Sequence, residues 1–182
     1  GHIERYNPAV KEGFQCLSHI ESITTTRTGY LDKRNQNVSI ALDLMIHDID
    51  LVLSIIKSPI TSISAISKKP THSQHNNIEC ILKFKNDSKA ILRAERRSDI
   101  ESQRSIKINC IDNLIEIDLL KRVTKTKNSI WQAEKNINPL KDEFMDFYSN
   151  ITTNKRPLVS VEEACNAVKV ALEIEKILNC QK

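Results

Sequence analysis

The chain has 182 residues, of which 40% are hydrophobic and 27% are charged. That length and apolar fraction suffice for one globular domain with a sizeable core, spanning residues 1–182, and they exclude a disordered chain. The formal net charge of +4 is too small to indicate a nucleic-acid partner by itself. No run approaches the roughly 18 apolar residues that suggest a membrane-spanning helix, and no secretory signal pattern is visible, so we expect neither membrane insertion nor secretion.

The cysteines indicate the compartment. An odd set without a short-range pairing motif predicts a reduced, cytoplasmic chain. No HExxH or paired CxxC spacing is present, so we expect no metal site. The cysteines at apolar positions of their elements are expected to be small core residues: Cys80, Cys110 and Cys165.

Glycine is scarce. With only Gly1, Gly13 and Gly29, neither GxGxxG nor GxxxxGK[ST] can be written in this sequence. A dinucleotide would therefore have to be bound by another polypeptide segment.

The first third of the chain alternates between helix and strand signals. Residues 1–6 resemble a strand, and Asn7 followed by Pro8 predicts a helix start. Residues 20–28 are rich in β-branched side chains and predict a strand that leads to Gly29. Residues 30–38 are polar and predict a surface loop.

The middle of the chain changes period. A mostly buried helix is predicted from about Ser39 to Ile56. From Ile60 onward, apolar residues alternate in several short runs separated by Asn–Asp turns, which predicts antiparallel strands. The basic stretch 121–127 also alternates, and we expect an exposed edge strand there in preference to a nucleic-acid site. Residues 128–137 predict a loop.

Two helices are predicted after residue 137. Asn138 and Pro139 repeat the cap-then-proline signal, and apolar residues follow at helical spacing: Leu140, Phe144, Phe147 and Ile151. Ser160 and Glu163 form a capping-box pattern for the last helix. Its buried stripe is expected to contain Ala164, Cys165, Val168, Ala171, Leu172 and Leu178. Helices at both ends and strands between them predict an α+β fold, with an open, mostly antiparallel sheet covered by helices on one face.

Asp43 and His47 carry the functional signal. They lie one helical turn apart on a polar stripe of the central helix. One interpretation is that the stripe is only the solvated edge of a core helix, with Asp43 near its N-terminus. The other is that His47 transfers a proton while Asp43 binds substrate and orients the imidazole, whose pKa a nearby carboxylate would raise.

Three motifs in order, GHIERYNPAV from Gly1, DLMIHDID from Asp43 and NPL…KRPLVS between Asn138 and Ser160, resemble the C-terminal domain of the Gfo/Idh/MocA oxidoreductases. The first is similar to the UDP-N-acetylglucosamine 3-dehydrogenase group. The resemblance implies a two-domain, NAD- or NADP-dependent dehydrogenase acting on a sugar or nucleotide-sugar hydroxyl. It implies that His47 and Asp43 are catalytic, and that Arg5, Asn7 and Arg27 contact the substrate.

The resemblance also implies an N-terminal Rossmann domain, which this sequence lacks. We therefore expect the chain to be inactive alone and to serve in substrate binding and in homo-oligomerisation through its sheet. A separate Rossmann-domain chain is one expected partner. The alternative is a non-catalytic module that self-associates or binds a partner.

Overall fold

An eight-stranded sheet organises the chain. The structure is a computed structural model that describes residues 1–33, 35, 37–67, 76–99, 101–134 and 136–180. The strand order is β2-β3-β4-β1-β5-β6-β7-β8. The bounds are β1 Ile20–Tyr30, β2 Ile60–Ser67, β3 Asn77–Phe84, β4 Lys89–Arg97, β5 Arg104–Cys110, β6 Leu114–Asp118, β7 Val123–Lys125 and β8 Ile130–Gln132.

Most strand pairs are antiparallel, and short turns impose this orientation on consecutive strands such as β3 and β4 or β5 and β6. In the turn between β3 and β4, Asp87 adopts a positive φ of 64°. The exception is the β1–β4 pair, which is parallel and follows a long connection through the central helix. The predicted α+β fold with an open, mostly antiparallel sheet is confirmed.

The core lies on one face of this sheet. Ile23 in β1 is paired with Ala90 in β4 and with Ile108 in β5, and all three are fully buried. Their neighbours Thr24 and Lys107 point to the opposite face of the sheet. Thr24 is partly exposed and Lys107 is exposed. Alternation along the strands therefore separates a covered, apolar face from a polar outer face.

The helices are α1 Pro8–Gln15, α2 Ile46–Ile55, α3 Pro139–Thr153 and α4 Val161–Asn179. Two predicted starts are confirmed: Asn7 Oδ1 accepts from the amide of Ala9 at 3.1 Å, and Ser160 and Glu163 form a reciprocal capping box. At Gly13, an added Cβ would lie 2.5 Å from Ile117 Cδ1, so α1 packs against β6 at a position that favours glycine.

The strand predicted for residues 1–6 is wrong. Ile3–Tyr6 form a turn of 3₁₀-helix, closed by hydrogen bonds from the amides of Arg5 and Asn7 to the carbonyls of His2 and Glu4. The turn buries Glu4, Arg5 and Tyr6. Tertiary ion pairs described below override the extended pattern of the sequence.

The predictions for residues 121–137 also need correction. β7 pairs with β6 on one side and with β8 on the other, so the basic stretch is not the sheet edge. Thr124 is buried and donates to the carbonyl of Ala9 at 2.7 Å. The expected loop contains β8, which forms the edge and carries Trp131.

The buried face of α4 differs from the predicted stripe. Cys165, Val168 and Leu172 are exposed, whereas Cys80 and Cys110 are buried as predicted. The helix carries two apolar stripes, and the sequence alone did not show which one faces the sheet. The buried residues of α4 are Ala167, Val170, Ala171, Ile174 and Leu178.

None of the residues of α3 is buried. The apolar residues at helical spacing, which we call the α3 row, are 56–65% exposed: Leu140, Phe144, Phe147 and Ile151. This row is contiguous with a concavity of about 430 Å³ that includes Gly1, His2 and Tyr6. Among the described helices, none is both long and apolar enough to cross a lipid bilayer.

Candidate functional site

The helix that carries Asp43 and His47 is not a regular α-helix. Ala41–Met45 are π-helical, and α2 begins at Ile46. Asp43 therefore belongs to the π-helical turn and His47 to the first turn of α2. The two side chains have different partners.

Asp43 lies at the surface and is held there by a buried arginine. Its carboxylate accepts a hydrogen bond from Arg96 and remains 45% exposed. Arg96 is almost completely buried and also donates to the carbonyls of Val38 at 2.7 Å and Asn35 at 3.1 Å. The exposed side of the Asp43 carboxylate is thus fixed in direction and free to accept a bond from a ligand hydroxyl.

His47 is partly buried, and its Nδ1 is buried without a hydrogen-bond partner among the described residues. Burial, followed by the positive charge of Arg27, lowers the pKa of His47 to about 4. A neighbouring carboxylate does raise this pKa, but it is Glu4 and not the expected Asp43, and burial and Arg27 outweigh it. The imidazole is neutral near pH 7 and can accept a proton.

His2 is a second imidazole at the site. Its ring centroid lies 6.4 Å from that of His47 in an edge-on arrangement, and only 7% of the residue is exposed. Its Nδ1 lies 3.8 Å from Asp50 Oδ2. Because desolvation lowers the pKa of His2 as well, the two rings are neutral neighbours between the helix and the concavity.

A buried ion network lies beneath His47. Arg27 Nε and Nη2 donate to Asp48 Oδ1 at 3.1 and 2.8 Å, and Arg27 Nη1 donates to Glu4 Oε1 at 3.1 Å. All three residues are at most 6% exposed. The network joins β1, α2 and the 3₁₀-turn.

A second ion pair holds the same turn against the helix. Arg5 donates from Nε and Nη2 to the two oxygens of Asp50 at 2.7 and 2.8 Å. Asn7 Nδ2 donates to Glu4 Oε2 at 3.2 Å and to the carbonyl of Leu119 at 3.0 Å. Bidentate arginine–carboxylate pairs fix geometry strongly, so the N-terminal turn and the helix form one rigid unit.

The predicted substrate contacts Arg5, Asn7 and Arg27 are thus 8%, 5% and 2% exposed, and they bond within the chain. Of the three, Arg27 acts on the charge of His47, whereas Arg5 and Asn7 fix the N-terminal turn to Asp50 and to Leu119. Asp43 and His47 are the predicted residues with exposed surface.

Sequence reasoning missed several members of this site: His2, Glu4, Asp48, Asp50, Arg96 and Arg104. One signal was available, because Asp48 and Asp50 interrupt an otherwise apolar helix directly after His47. The arginines on β4 and β5 gave no signal, since they fall among other charged strand residues.

The arrangement can bind a hydroxyl at Asp43 and take a proton at His47. It does not fit a dinucleotide: the glycines are at the chain start, inside α1 and inside β1, and none belongs to a strand-to-helix phosphate loop.

Solved structures share this fold. A UDP-N-acetylglucosamine 3-dehydrogenase from Acidithiobacillus ferrooxidans is 20% identical, with a TM-score of 0.91, over 99% of this chain and 60% of that protein. A dehydrogenase from Clostridium difficile is 21% identical, with a TM-score of 0.82, over 97% of this chain and 60% of that one. A scyllo-inositol dehydrogenase from Lactobacillus casei with bound NAD(H) and scyllo-inositol is 15% identical, with a TM-score of 0.80, over 100% and 62%. The chain thus spans about 60% of the length of these structures.

A sequence profile adds a family to this fold. A family profile described as the GFO/IDH/MocA C-terminal domain matches residues 16–115, more than half of the chain. The chain belongs to the Gfo/Idh/MocA C-terminal domain family. A comparison with curated protein sequences gave no match.

Replacing Arg27 with glutamine should destabilise the fold by about 3 kcal/mol or more, because it leaves the Asp48 and Glu4 carboxylates buried without a full counter-charge. Chemical denaturation would measure the change. The matched control is Arg93→Gln, whose partner Glu79 lies on the outer face and which should cost at most about 1 kcal/mol. Equal losses in the two variants would contradict the role given to the network.

The stability of the chain should fall on acidification. Between pH 6.5 and about pH 4 the unfolded chain protonates at His47 while the folded chain does not, so stability is full above pH 6.5 and is lost as the pH falls through this window. Allowing for partial exposure, His47 should contribute about 1–2 kcal/mol of this loss. Denaturation midpoints across the window should change less for His47→Gln, while the exposed His19→Gln should behave as wild type.

Proposed function

We propose that this chain is the substrate-binding and proton-transfer half of an NAD(P)-dependent dehydrogenase acting on a sugar or nucleotide-sugar hydroxyl. The observation that carries the proposal is His47, a partly exposed imidazole kept neutral near pH 7 above a rigid ion network. In this role His47 accepts the proton of the substrate hydroxyl, and Asp43 accepts a hydrogen bond from a neighbouring hydroxyl. Arg5, Asn7 and Arg27 position the imidazole and do not touch the sugar. Residues 1–182 act as one domain.

The cofactor half is supplied by a separate polypeptide segment or chain. Two features support this: the glycines do not fit a dinucleotide, and the chain spans about 60% of solved relatives, one of which has NAD(H) bound. The nicotinamide accepts the hydride from the sugar carbon in that class of reaction. This chain is inactive alone.

The α3 row supports docking of that segment. The side chains of this row are large and apolar, and each is more than half exposed. A contiguous exposed apolar surface of this kind marks an interaction site. The row adjoins the concavity that His2 lines, so a segment packed there would cover His2, whose ring centroid lies 6.4 Å from that of His47.

The outer face of the sheet is a second candidate surface and favours self-association. It combines a threonine stripe, including Thr24 and Thr26, with charge pairs of both signs such as Lys107–Glu116. A face with both signs can be complementary to its own copy.

The second candidate function is that of a non-catalytic module that self-associates. In that case the chain should form a dimer in sedimentation velocity and should bind no sugar. A strict monomer would contradict self-association.

The function can be tested in a fusion. The cofactor-binding segment of the Acidithiobacillus ferrooxidans dehydrogenase, joined before Gly1, should form NADH or NADPH from UDP-N-acetylglucosamine. His47→Gln should lower kcat by about 10²- to 10⁴-fold with little change in KM, because a general base is removed. His19→Gln is the control and should leave kcat unchanged. An active fusion that tolerates His47→Gln would remove His47 from the mechanism.

The docking surface can be tested in the same fusion. Phe144→Ser combined with Phe147→Ser should lower the thermal midpoint of the fusion but not that of the isolated chain, where both rings are already exposed. Leu172→Ser on α4 is the matched control, since that side chain is 52% exposed outside the row. Equal midpoints for the fusion with and without the two serines would place the partner elsewhere.

A further inference from the structure

Two arginines face each other across the centre of the sheet. Arg27 of β1 and Arg104 of β5 are directly opposed in the antiparallel register. Like charges at opposed positions destabilise a strand pair. Glu4 reduces this repulsion, because its Oε1 accepts from Nη1 of Arg27 at 3.1 Å and from Nη1 of Arg104 at 3.2 Å. One carboxylate oxygen therefore serves two guanidinium groups.

The two arginines are not equally satisfied. Arg27 is 2% exposed and has Asp48 as a second, bidentate partner. The side chain of Arg104 is 42% exposed, and within the described part of the chain the shared oxygen of Glu4 is its carboxylate partner. A guanidinium has five N–H donors, so Arg104 retains donors for a further acceptor.

Arg104 also acts on the proposed base. Its positive charge is one of the influences that lower the pKa of His47, together with burial and with the charge of Arg27. Arg104 is also joined, through the shared oxygen of Glu4, to Arg27, the charge that acts most strongly on His47. An anion held by Arg104 would therefore bind at the same charged cluster.

We infer that Arg104 is the residue with which this site holds an anionic group of its substrate, a phosphate of a nucleotide sugar. A guanidinium matches phosphate oxygens bidentately, and a partly exposed one can reach them. The inference rests on the proposed function and deepens it. It replaces Arg27, which is 2% exposed and already paired with Asp48 and Glu4, by the arginine directly opposite on the neighbouring strand.

The isolated chain suffices for the test. Pyrophosphate, added to the chain labelled with ¹⁵N, should shift the Arg104 Nε and His47 ring signals and raise the pKa of His47, because a bound anion offsets the arginine charge. Arg104→Gln should weaken pyrophosphate binding at least tenfold, and Arg104→Lys should restore part of it. Arg97→Gln is the matched control, an exposed arginine at the end of β4 that pairs with Asp99.

A second arm separates charge recognition from sugar recognition. By calorimetry, Arg104→Gln should weaken the binding of UDP-N-acetylglucosamine at least tenfold and leave the binding of N-acetylglucosamine unchanged. Pyrophosphate that moves neither signal, or an equal effect of Arg97→Gln, would overturn the assignment of Arg104. If the fusion is active, loses activity with His47→Gln and is unaffected by Arg104→Gln, this inference alone is overturned. A fusion indifferent to His47→Gln, with pyrophosphate still bound at Arg104, would overturn only the proposed proton transfer.

Discussion

The buried pairing of Arg27 with Asp48 and Glu4 is the constraint on which the rest of the site depends. These charges lie where β1, α2 and the N-terminal 3₁₀-turn meet, and each is shielded from water. Taking charges out of water is costly, and the cost is offset only when partners are held in good geometry. The network therefore requires the three elements to keep their relative positions, and the register of β1 is fixed along with them.

The imidazole of His47 adjoins this network, but it is kept neutral mainly by burial. Burial is the largest influence that lowers the pKa of His47, the positive charge of Arg27 adds to it, and the carboxylate of Glu4 opposes it. The proposed general base is therefore unprotonated near pH 7 chiefly because it is shielded from water. The sequence interpretation gave Asp43 the role of orienting the ring. Its carboxylate instead pairs with the buried Arg96 and is partly exposed to solvent.

Local patterns predicted the fold well and the site only in part. Period-two alternation identified most strands because one sheet face is covered, and Asn7 with Pro8 and Ser160 with Glu163 specified helix starts through local hydrogen bonds. The 3₁₀-turn could not be predicted in this way, since it is stabilised by partners more than twenty residues distant. The π-turn at Ala41–Met45 likewise has no signature in the local apolar pattern, which is continuous with that of α2.

Apolar periodicity shows that a helix has an apolar face, but not what covers that face. For α4 the sheet covers one of two apolar stripes, so half of the predicted stripe was wrong. For α3 the periodicity was read correctly, yet the described chain leaves the row exposed. Tyr6 donates to Asp146 at 2.8 Å, and Asp146 also accepts from the amide of Leu158, so α3 is attached to the N-terminal turn by polar contacts. Those contacts hold the row beside His2 and leave its apolar side chains open to the docking segment proposed above.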